Sequence, residues 1–360
     1  MKLKPMLLMS LLVLLHNLAF AQYIWVDLSF KAVLNPTNGT RSYNFTERNV
    51  DDTIDGVNAM LATYERGYRF RRIGPIRNVG GINQTNGPSK WYSVNPRDNN
   101  LATGPWDNRE QMEIEAQSAP GPYGWSLSAI NYYITAGYGA GPQDAGDCAF
   151  PSGNNHLIVL GTVDNSHVLL HETGHYFELY HTQGGCDCLR GNQGCISTNG
   201  YWVGNDDVPG YVISDTIFDS ECLTLNGMAT ANYNKVLMFL TSGELKLVED
   251  TFFNIMSYHP GTNQARLTEL QLHKWTDFAN TPRSPVVSGK TRFVSPFGVD
   301  SGTGTNSIAP VRTVFYAVSV AATGQDILLL RPGSYNEQLR INKAVTLRAT
   351  RAGWATIGRP

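Results

Sequence analysis

Hydrophobic and polar residues alternate over residues 23–34, YIWVDLSFKAVL, which is the pattern of a strand that buries one of its faces. Apolar residues then recur three and four positions apart over residues 46–66. This spacing predicts an amphipathic helix, for which Thr46 or Asn49 is the expected N-cap. The chain is therefore predicted to begin its fold with a strand followed by a helix.

Two further strands and a second helix are predicted in the middle of the chain. The runs AINYYIT at residues 129–135 and HLIVLGTV at residues 156–163 have the composition of buried strands. A helical pattern follows at residues 165–180, with Asp164 or Ser166 near its cap.

The remaining segments have weaker patterns. Residues 74–124 are rich in Gly, Pro, Asn and Trp and are predicted to form a long surface excursion. Residues 182–235 are rich in Gly, Asn and Asp and are predicted to be irregular. A final helix is expected at residues 265–280 with Thr268 as its cap, and a β pattern follows residue 307.

These elements predict an α+β fold with one larger domain over residues 22–285 and a small accessory or truncated β module over residues 286–360. The formal charge of −2 gives no electrostatic argument for binding nucleic acid. Only 16% of the residues are charged and glycine is abundant, which suits a loop-rich globular protein.

The N-terminal residues MKLKPMLLMSLLVLLHNLAFAQ have the features of an export signal. Two lysines precede an apolar run, and Ala19-Phe20-Ala21 matches a small-x-small cleavage site. A transmembrane anchor is the alternative, but the run is too short and is interrupted by His16 and Asn17. We therefore predict a signal peptide over residues 1–21, secretion, and no membrane anchor after its removal.

Export makes disulfide bonds available to the five cysteines. Clustered cysteines in an oxidising compartment usually form disulfides, although a thiolate metal site is the alternative. Two of them are too close in sequence to bridge each other without strain, so they are expected to reach the other two. The disulfide candidates are Cys186, Cys188, Cys195 and Cys222, and Cys148 is expected to remain free.

The stretch HETGHYFELYH at residues 171–181 contains three histidines at spacings of four and six. Residues four apart share one face of a helix, so His171 and His175 can direct both imidazoles at one ion while Glu172 flanks it. Two neutral histidines bind zinc, and the carboxylate can take a proton from water. Two ordinary helix-face histidines are the alternative, because the short motif also occurs without a metal.

A catalytic zinc needs a third protein ligand and one open position. His181 would face away from His175 on a continuing helix, so it can join the site only if the chain turns back. The turn is expected near Glu178, in a conformation that glycine normally adopts and that costs another residue roughly 1–2 kcal/mol. Glu178 itself, Glu221 and Glu249 are the alternative third ligands.

The motif HExxHxxxxxH, followed downstream by Asn254-Ile255-Met256-Ser257-Tyr258, resembles the metzincin clan of zinc endopeptidases. Three further stretches resemble its pappalysin (cytophagalysin) family: Leu179-Tyr180-His181-Thr182, Val212-Ile213-Ser214-Asp215-Thr216, and Arg266-Leu267-Thr268 with Gln271. The resemblance covers residues 127–278, and its motifs are specific together rather than singly.

The resemblance implies a mixed twisted sheet with an active-site helix, then an irregular subdomain with a Met-turn and a final helix. It implies Zn²⁺ as the cofactor and a protein or peptide as the substrate, aligned on residues 156–161 as the edge strand. The implied roles are zinc ligation by His171, His175 and His181, general base catalysis by Glu172, a Met-turn at Met256, and metal binding or oxyanion stabilisation by Tyr258.

The resemblance also implies Ca²⁺ in the irregular region, because hard oxygen ligands on loops suit this ion. The candidate ligands are Asp206, Asp207, Asp215 and Asp219. Acids that form turns and cap helices are the alternative interpretation.

The C-terminal runs GQDILLLRPGSY at 324–335 and AVTLRA at 344–349 resemble the first coils of a right-handed parallel β-helix. Such stacked architectures need several coils to bury a core. A small β extension packed on the peptidase is the alternative. Three functions therefore compete: a secreted zinc endopeptidase, a carbohydrate-binding or carbohydrate-acting protein with a degenerate zinc domain, and a structural zinc protein in which Glu178→Gly would raise activity.

Overall fold

A mixed β-sheet with helices packed on both faces forms the larger part of the fold. The combination is compatible with the predicted α+β class, and the metzincin-specific arrangement stays a prediction. The structure, a computed structural model, describes residues 23–64, 66–84, 86–98, 107–138, 146–148, 156–179, 253–257, 266–350 and 354–358, together with residues 242, 243, 246, 249 and 250.

The first two elements form where their sequence patterns predict them. Strand β1, Ile24–Val33, buries alternate residues over most of its length. Helix α1, Glu47–Ala62, begins with a capping box that uses both predicted residues. The Thr46 hydroxyl accepts a hydrogen bond from the Asn49 backbone N–H, and the Asn49 side chain accepts one from the Thr46 backbone N–H.

The main sheet has the strand order β2-β1-β4-β6-β5, and β3 pairs with the end of β1. Its pairs are parallel except that β5 runs antiparallel to β6. The prediction that residues 156–161 form the edge strand is wrong, because β6 lies between β4 and β5, and among the described strands it is β5 that lies at this edge. The strands are β2 (Tyr68–Arg72), β3 (Arg77–Val79), β4 (Ile130–Ile134), β5 (Gly146–Cys148) and β6 (Leu157–Leu160).

One face of the sheet shares its hydrophobic core with α1, with helix α4 (Ser166–Tyr176) and with helix α5 (Glu269–Asn280). Helix α5 begins with a capping box at Thr268, the predicted cap. Trp275 is 1% exposed in this core. The two helices that carry the candidate motifs are thus anchored on the same face of the sheet.

The other face is covered by the segment that was predicted to be a surface excursion, so that prediction is wrong. It contains a 3-10 turn (Pro88–Trp91), helix α2 (Asn108–Ser118) and helix α3 (Pro120–Tyr123). Trp91, Met112 and Ala116 pack in a second core against the sheet. On the buried side of α2, Arg109 and Glu113 form an ion pair. Because these charged residues interrupt the apolar stripe, hydrophobic periodicity does not indicate the helix.

The C-terminal segment is built from parallel strands. Strands β7, β8 and β10 form a sheet in the order β10-β8-β7, while β9 and β11 form a second parallel pair. These elements follow a 3-10 turn at Ser284–Val286: β7 (Thr291–Val294), helix α6 (Val314–Val320), β8 (Ile327–Leu330), β9 (Gly333–Tyr335), β10 (Thr346–Ala349) and β11 (Ala355–Ile357).

This segment packs closely on the rest of the fold. Ile327 belongs to the main hydrophobic core. The Asn280 side chain both donates to and accepts from the backbone of Thr291, at 2.8 and 2.9 Å. The predicted domain boundary near residue 285 stays a prediction. Among the described helices, none has the length and apolar character needed to cross a membrane.

Lys31 is an unusual feature of the central strand β1, because its side chain is fully buried. Its ammonium donates to the Asn131 side chain at 2.6 Å and to the Ser29 carbonyl oxygen at 3.1 Å. Neither of these partners is a carboxylate, and burial together with the positive charge of Arg77 lowers the pKa of Lys31 to about 7. The unfolded chain, with a lysine pKa of 10.5, therefore binds more protons than the folded chain between these two pH values.

We expect Lys31→Met to stabilise the fold at neutral pH, with a gain that shrinks as the pH rises. The penalty of burying a charged lysine is complete below the folded pKa of about 7 and disappears near 10.5. The difference in unfolding free energy should thus fall by up to about 1.4 kcal/mol per pH unit between these values. Urea denaturation across this pH range measures it, with the exposed Lys246→Met as the control. A gain independent of pH would contradict a lowered pKa.

Candidate metal centre

Helix α4 carries the HETGH motif and is fixed at its start by Asn165. The Asn165 side chain accepts hydrogen bonds from the backbone N–H groups two and three residues later, at 2.9 and 3.1 Å. The N-cap is therefore Asn165, which lies between Asp164 and Ser166, the two residues that the sequence places near the cap. The Ser166 hydroxyl instead donates to the Thr53 carbonyl oxygen at 2.9 Å, which ties α4 to α1.

His171 and His175 lie one helical turn apart and face each other. Their Nε2 atoms are 3.2 Å apart, and the two rings are nearly perpendicular, at 86°. The His171 Nδ1 lies 2.7 Å from the Ile255 carbonyl oxygen, and the His175 Nδ1 lies 2.6 Å from the Leu179 carbonyl oxygen. Each imidazole is thus oriented by a backbone group from a different part of the chain.

These contacts determine where the protons of the two rings lie. A carbonyl oxygen only accepts, so each Nδ1 must donate, and a neutral ring then has a lone pair on Nε2. Burial lowers the pKa of His171 to about 4 and lowers that of His175 well below its usual value, so both rings are neutral at neutral pH. Two facing lone pairs repel each other unless a cation lies between them. Two ligands of one tetrahedral zinc would lie roughly 3.3–3.4 Å apart, so this donor pair fits the ion.

Glu172 lies between the two histidines in sequence and points toward the edge strand β5. Its carboxylate accepts a hydrogen bond from the Cys148 backbone N–H. A Cβ on Gly146 would lie only 2.6 Å from the Glu172 Cγ, so the absence of a side chain at Gly146 makes room for the glutamate. Burial, reinforced by the nearby Asp147 carboxylate, raises the pKa of Glu172 to about 8.

Met256 is fully buried and packs against the same helix. A Cβ on Gly174 would collide with its Sδ, so the glycine in HETGH permits this close approach. A tight turn holds the methionine: the Ser257 N–H donates to the Asn254 carbonyl oxygen at 3.1 Å, and the Met256 N–H donates to the Asn254 side chain at 3.0 Å. The Asn254 and Gln271 side-chain amides bond each other at 2.8 and 3.1 Å, which connects this turn to α5.

Helix α4 ends in a Schellman motif whose left-handed residue is Glu178, with φ of 67°. The Leu179 N–H donates to the Gly174 carbonyl oxygen at 2.9 Å, and the Glu178 N–H donates to the His175 carbonyl oxygen at 2.8 Å. The chain therefore turns at the residue where the sequence predicted the bend. The same turn brings the Leu179 carbonyl oxygen to His175.

The Glu178 side chain is buried and paired with Arg283, a contact that the sequence analysis did not identify. One Arg283 Nη lies 3.0 Å from Glu178 Oε1, and the Arg283 Nε donates to the Tyr176 carbonyl oxygen at 3.0 Å. The guanidinium also lies over the Tyr176 ring, 4.7 Å from its centroid. No local signal could have found this partner, because Arg283 is 105 residues away in sequence.

A second group of charged residues supports the edge strand. Arg97 donates to the Gly146 carbonyl oxygen at 2.8 Å and to the Asp147 carboxylate at 3.3 Å. Arg109, on α2, lies 3.2 Å from the other Asp147 oxygen. Burial raises the pKa of Asp147 to about 6, although the two arginines oppose this shift. No motif in the sequence indicates this cluster, because its members are far apart in the chain.

Several predicted site residues lie outside the described residues. They are the third histidine His181, Tyr258, the calcium candidates Asp206, Asp207, Asp215 and Asp219, and the disulfide candidates Cys186, Cys188, Cys195 and Cys222. Their roles stay predictions. Cys148 lies within the described residues, where it has a free and buried thiol, as expected.

Of the four residues that the sequence offers as a third zinc ligand, Glu178 and Glu249 lie within the described residues. Among them, no third His, Cys, Asp or Glu side chain joins His171 and His175 in a group that could hold a metal. Two of the alternative ligands bond arginines instead: Glu178 pairs with Arg283, and Glu249 lies 3.0 Å from Arg266. His181 and Glu221 remain, and both lie beyond the described residues.

Comparison of the chain with protein-family models and with curated proteins finds no match in either set.

Proposed function

We propose that this protein is a secreted zinc-dependent endopeptidase. The observation that supports the proposal most directly is the pair of facing Nε2 atoms of His171 and His175, 3.2 Å apart, with both Nδ1 atoms at carbonyl oxygens. Neutral imidazoles fixed in this way are suitable zinc ligands, and their backbone partners supply the outer support that such ligands usually have. His181 is the proposed third ligand, and Tyr258 is proposed to act beside it.

Glu172 is the proposed general base. Zinc, when bound, acidifies water and polarises the scissile carbonyl. The Glu172 carboxylate would accept the proton of the attacking water and then deliver it to the leaving amine. Burial raises the pKa of Glu172, and the positive charge of a bound ion would lower it again, so that the group could both accept and donate a proton near neutral pH.

Strand β5 is the proposed platform for the substrate. On its outer side, β5 pairs with no other strand of the described chain. The Cys148 N–H already contacts the Glu172 carboxylate, so a peptide extended along β5 would pass beside the proposed base. Main-chain pairing of this kind aligns a peptide largely without regard to its sequence.

Removal of the metal should abolish hydrolysis of casein or gelatin. Because the proposed chemistry depends on the ion, 1,10-phenanthroline is expected to stop cleavage, and added Zn²⁺ should restore it. Elemental analysis of the purified protein should find about one zinc per chain. Cleavage that continues in protein shown to be free of metal would contradict the proposal.

Carbohydrate binding is the second candidate function, and it has one specific observation in its favour. The C-terminal strands stack in parallel, in the β10-β8-β7 sheet and the β9–β11 pair, as coils of a β-helix would. Polysaccharide binding that survives both 1,10-phenanthroline and Glu172→Ala would favour this function.

A further inference from the structure

The buried ion pair between Glu178 and Arg283 stands at the end of the helix that carries the two histidines. Both side chains are almost completely buried, with exposures of 3% and 1%. Glycine would satisfy the left-handed turn without strain and without a charge to bury. Glutamate therefore brings two costs, and a buried carboxylate is tolerated only when it is paired.

Arg283 offsets the cost of burying the Glu178 carboxylate, and it also contacts the backbone just before the turn. Its Nη bonds the Glu178 carboxylate, and its Nε bonds the Tyr176 carbonyl oxygen, which belongs to the last turn of α4. Carbonyl groups in the last turn of a helix lack helical partners, and a positive charge there is favourable. The arginine thus holds the end of α4 and the bend after it as one unit.

The bend is directly connected to one of the candidate zinc ligands. The His175 Nδ1 contacts the Leu179 carbonyl oxygen, and Leu179 directly follows Glu178. A shift of the turn would therefore rotate the His175 imidazole. Arg283 is itself fixed by α5, because its backbone N–H donates to the Phe278 carbonyl oxygen at 2.9 Å.

We infer that Glu178 and Arg283 form a positioning pair, which fixes the His175 imidazole for metal binding through the turn at Leu179. The inference rests on the proposed zinc site. It also opposes the structural zinc hypothesis, in which Glu178→Gly would raise activity: Glu178 is part of the support of the site, and replacing it alone with glycine impairs metal binding. The impairment arises because Arg283 would be left buried without its carboxylate.

The test compares Glu178→Gly, Arg283→Met and the double variant Glu178→Gly/Arg283→Met. Zinc affinity is measured by competition with a chromophoric chelator, and ligand geometry by the visible absorption spectrum of the Co²⁺-substituted protein. Each single variant is expected to bind zinc about 10–100-fold more weakly, with an altered Co²⁺ spectrum. The double variant should recover most of the affinity, because glycine suits the turn and no buried charge is left alone.

A matched control separates positioning from stability. Arg292 and Asp326 form another buried ion pair, 2.6 Å apart, in the C-terminal segment. Arg292→Met should lower the melting temperature as Arg283→Met does, but leave the zinc affinity and the Co²⁺ spectrum unchanged. Glu178→Gln preserves the size of the side chain, so it provides a test even if Glu178→Gly does not fold. This variant is also expected to weaken zinc binding.

Two results would overturn the inference, and they are distinguishable. Wild-type affinity and spectrum in folded Glu178→Gly and Glu178→Gln would show that the pair is only structural, while the zinc site stands. If the wild-type chain takes up no zinc, the proposed function fails and the positioning role fails with it.

Discussion

Glu172→Gln is expected to lower kcat/KM for peptide hydrolysis by about 10²–10⁴-fold, the usual contribution of a positioned general base. The amide has nearly the same shape as the carboxylate and still fits beside Gly146, but it cannot accept the proton of the attacking water. The zinc content should remain that of the wild type, since the candidate ligands are His171 and His175. Hydrolysis of a fluorogenic peptide library, together with metal analysis, measures both quantities.

An exposed carboxylate provides the control for this substitution. Asp55 lies on the solvent side of α1, and Asp55→Asn should leave hydrolysis unchanged. If Glu172→Gln contained zinc and cleaved peptides within a few-fold of the wild type, Glu172 would not be the base. If the wild type contained zinc but cleaved no peptide, the structural zinc hypothesis would gain support.

The elements that the sequence predicted well are long segments in which apolar residues recur at regular spacing. Strand β1 and helices α1 and α5 each bury one face, and their caps Thr46 and Thr268 are side chains whose hydrogen bonds are local. Their formation depends on neighbours within a few positions. A single sequence is therefore sufficient to locate them.

Elements stabilised by distant partners were not predictable in this way. Helix α2 buries Arg109 and Glu113, whose partners include Asp147 on a separate strand. Strand β5 has only three residues, so no alternation can be recognised in it. The continuous apolar run of β6 reflects an internal position in the sheet, whereas the family resemblance implies an edge strand there.

The candidate site likewise contains residues that local spacing predicts and groups from distant parts of the chain that it does not predict. His171, Glu172 and His175 could be identified because helical spacing alone brings them together. The groups that orient them come from elsewhere: the Ile255 carbonyl oxygen contacts His171, and Arg283 supports the turn beyond His175. Helical periodicity predicts which side chains share a face, but it contains no information on the distant groups that determine their rotation.

Trp275→Ala is expected to lower the free energy of unfolding by about 3–5 kcal/mol, the range for removing a fully buried aromatic ring. The indole is 1% exposed and stacks on Phe177, with ring centroids 4.4 Å apart, and it also contacts Tyr68 and Phe70 of β2. Within the described residues its N–H has no hydrogen-bond partner, so the loss should come from packing and the resulting cavity. Urea denaturation followed by circular dichroism measures it.

Trp354 offers a control of the same residue type, since it is 52% exposed. Trp354→Ala should change the unfolding free energy by less than about 0.5 kcal/mol. Phe177 directly precedes Glu178, so the cavity left by Trp275→Ala opens beneath the bend after α4. The variant should therefore bind zinc more weakly even under conditions where it is fully folded. Equal losses of unfolding free energy for the two tryptophan variants would contradict the packing argument. Wild-type zinc affinity in folded Trp275→Ala would show that the core contact and the metal centre are independent.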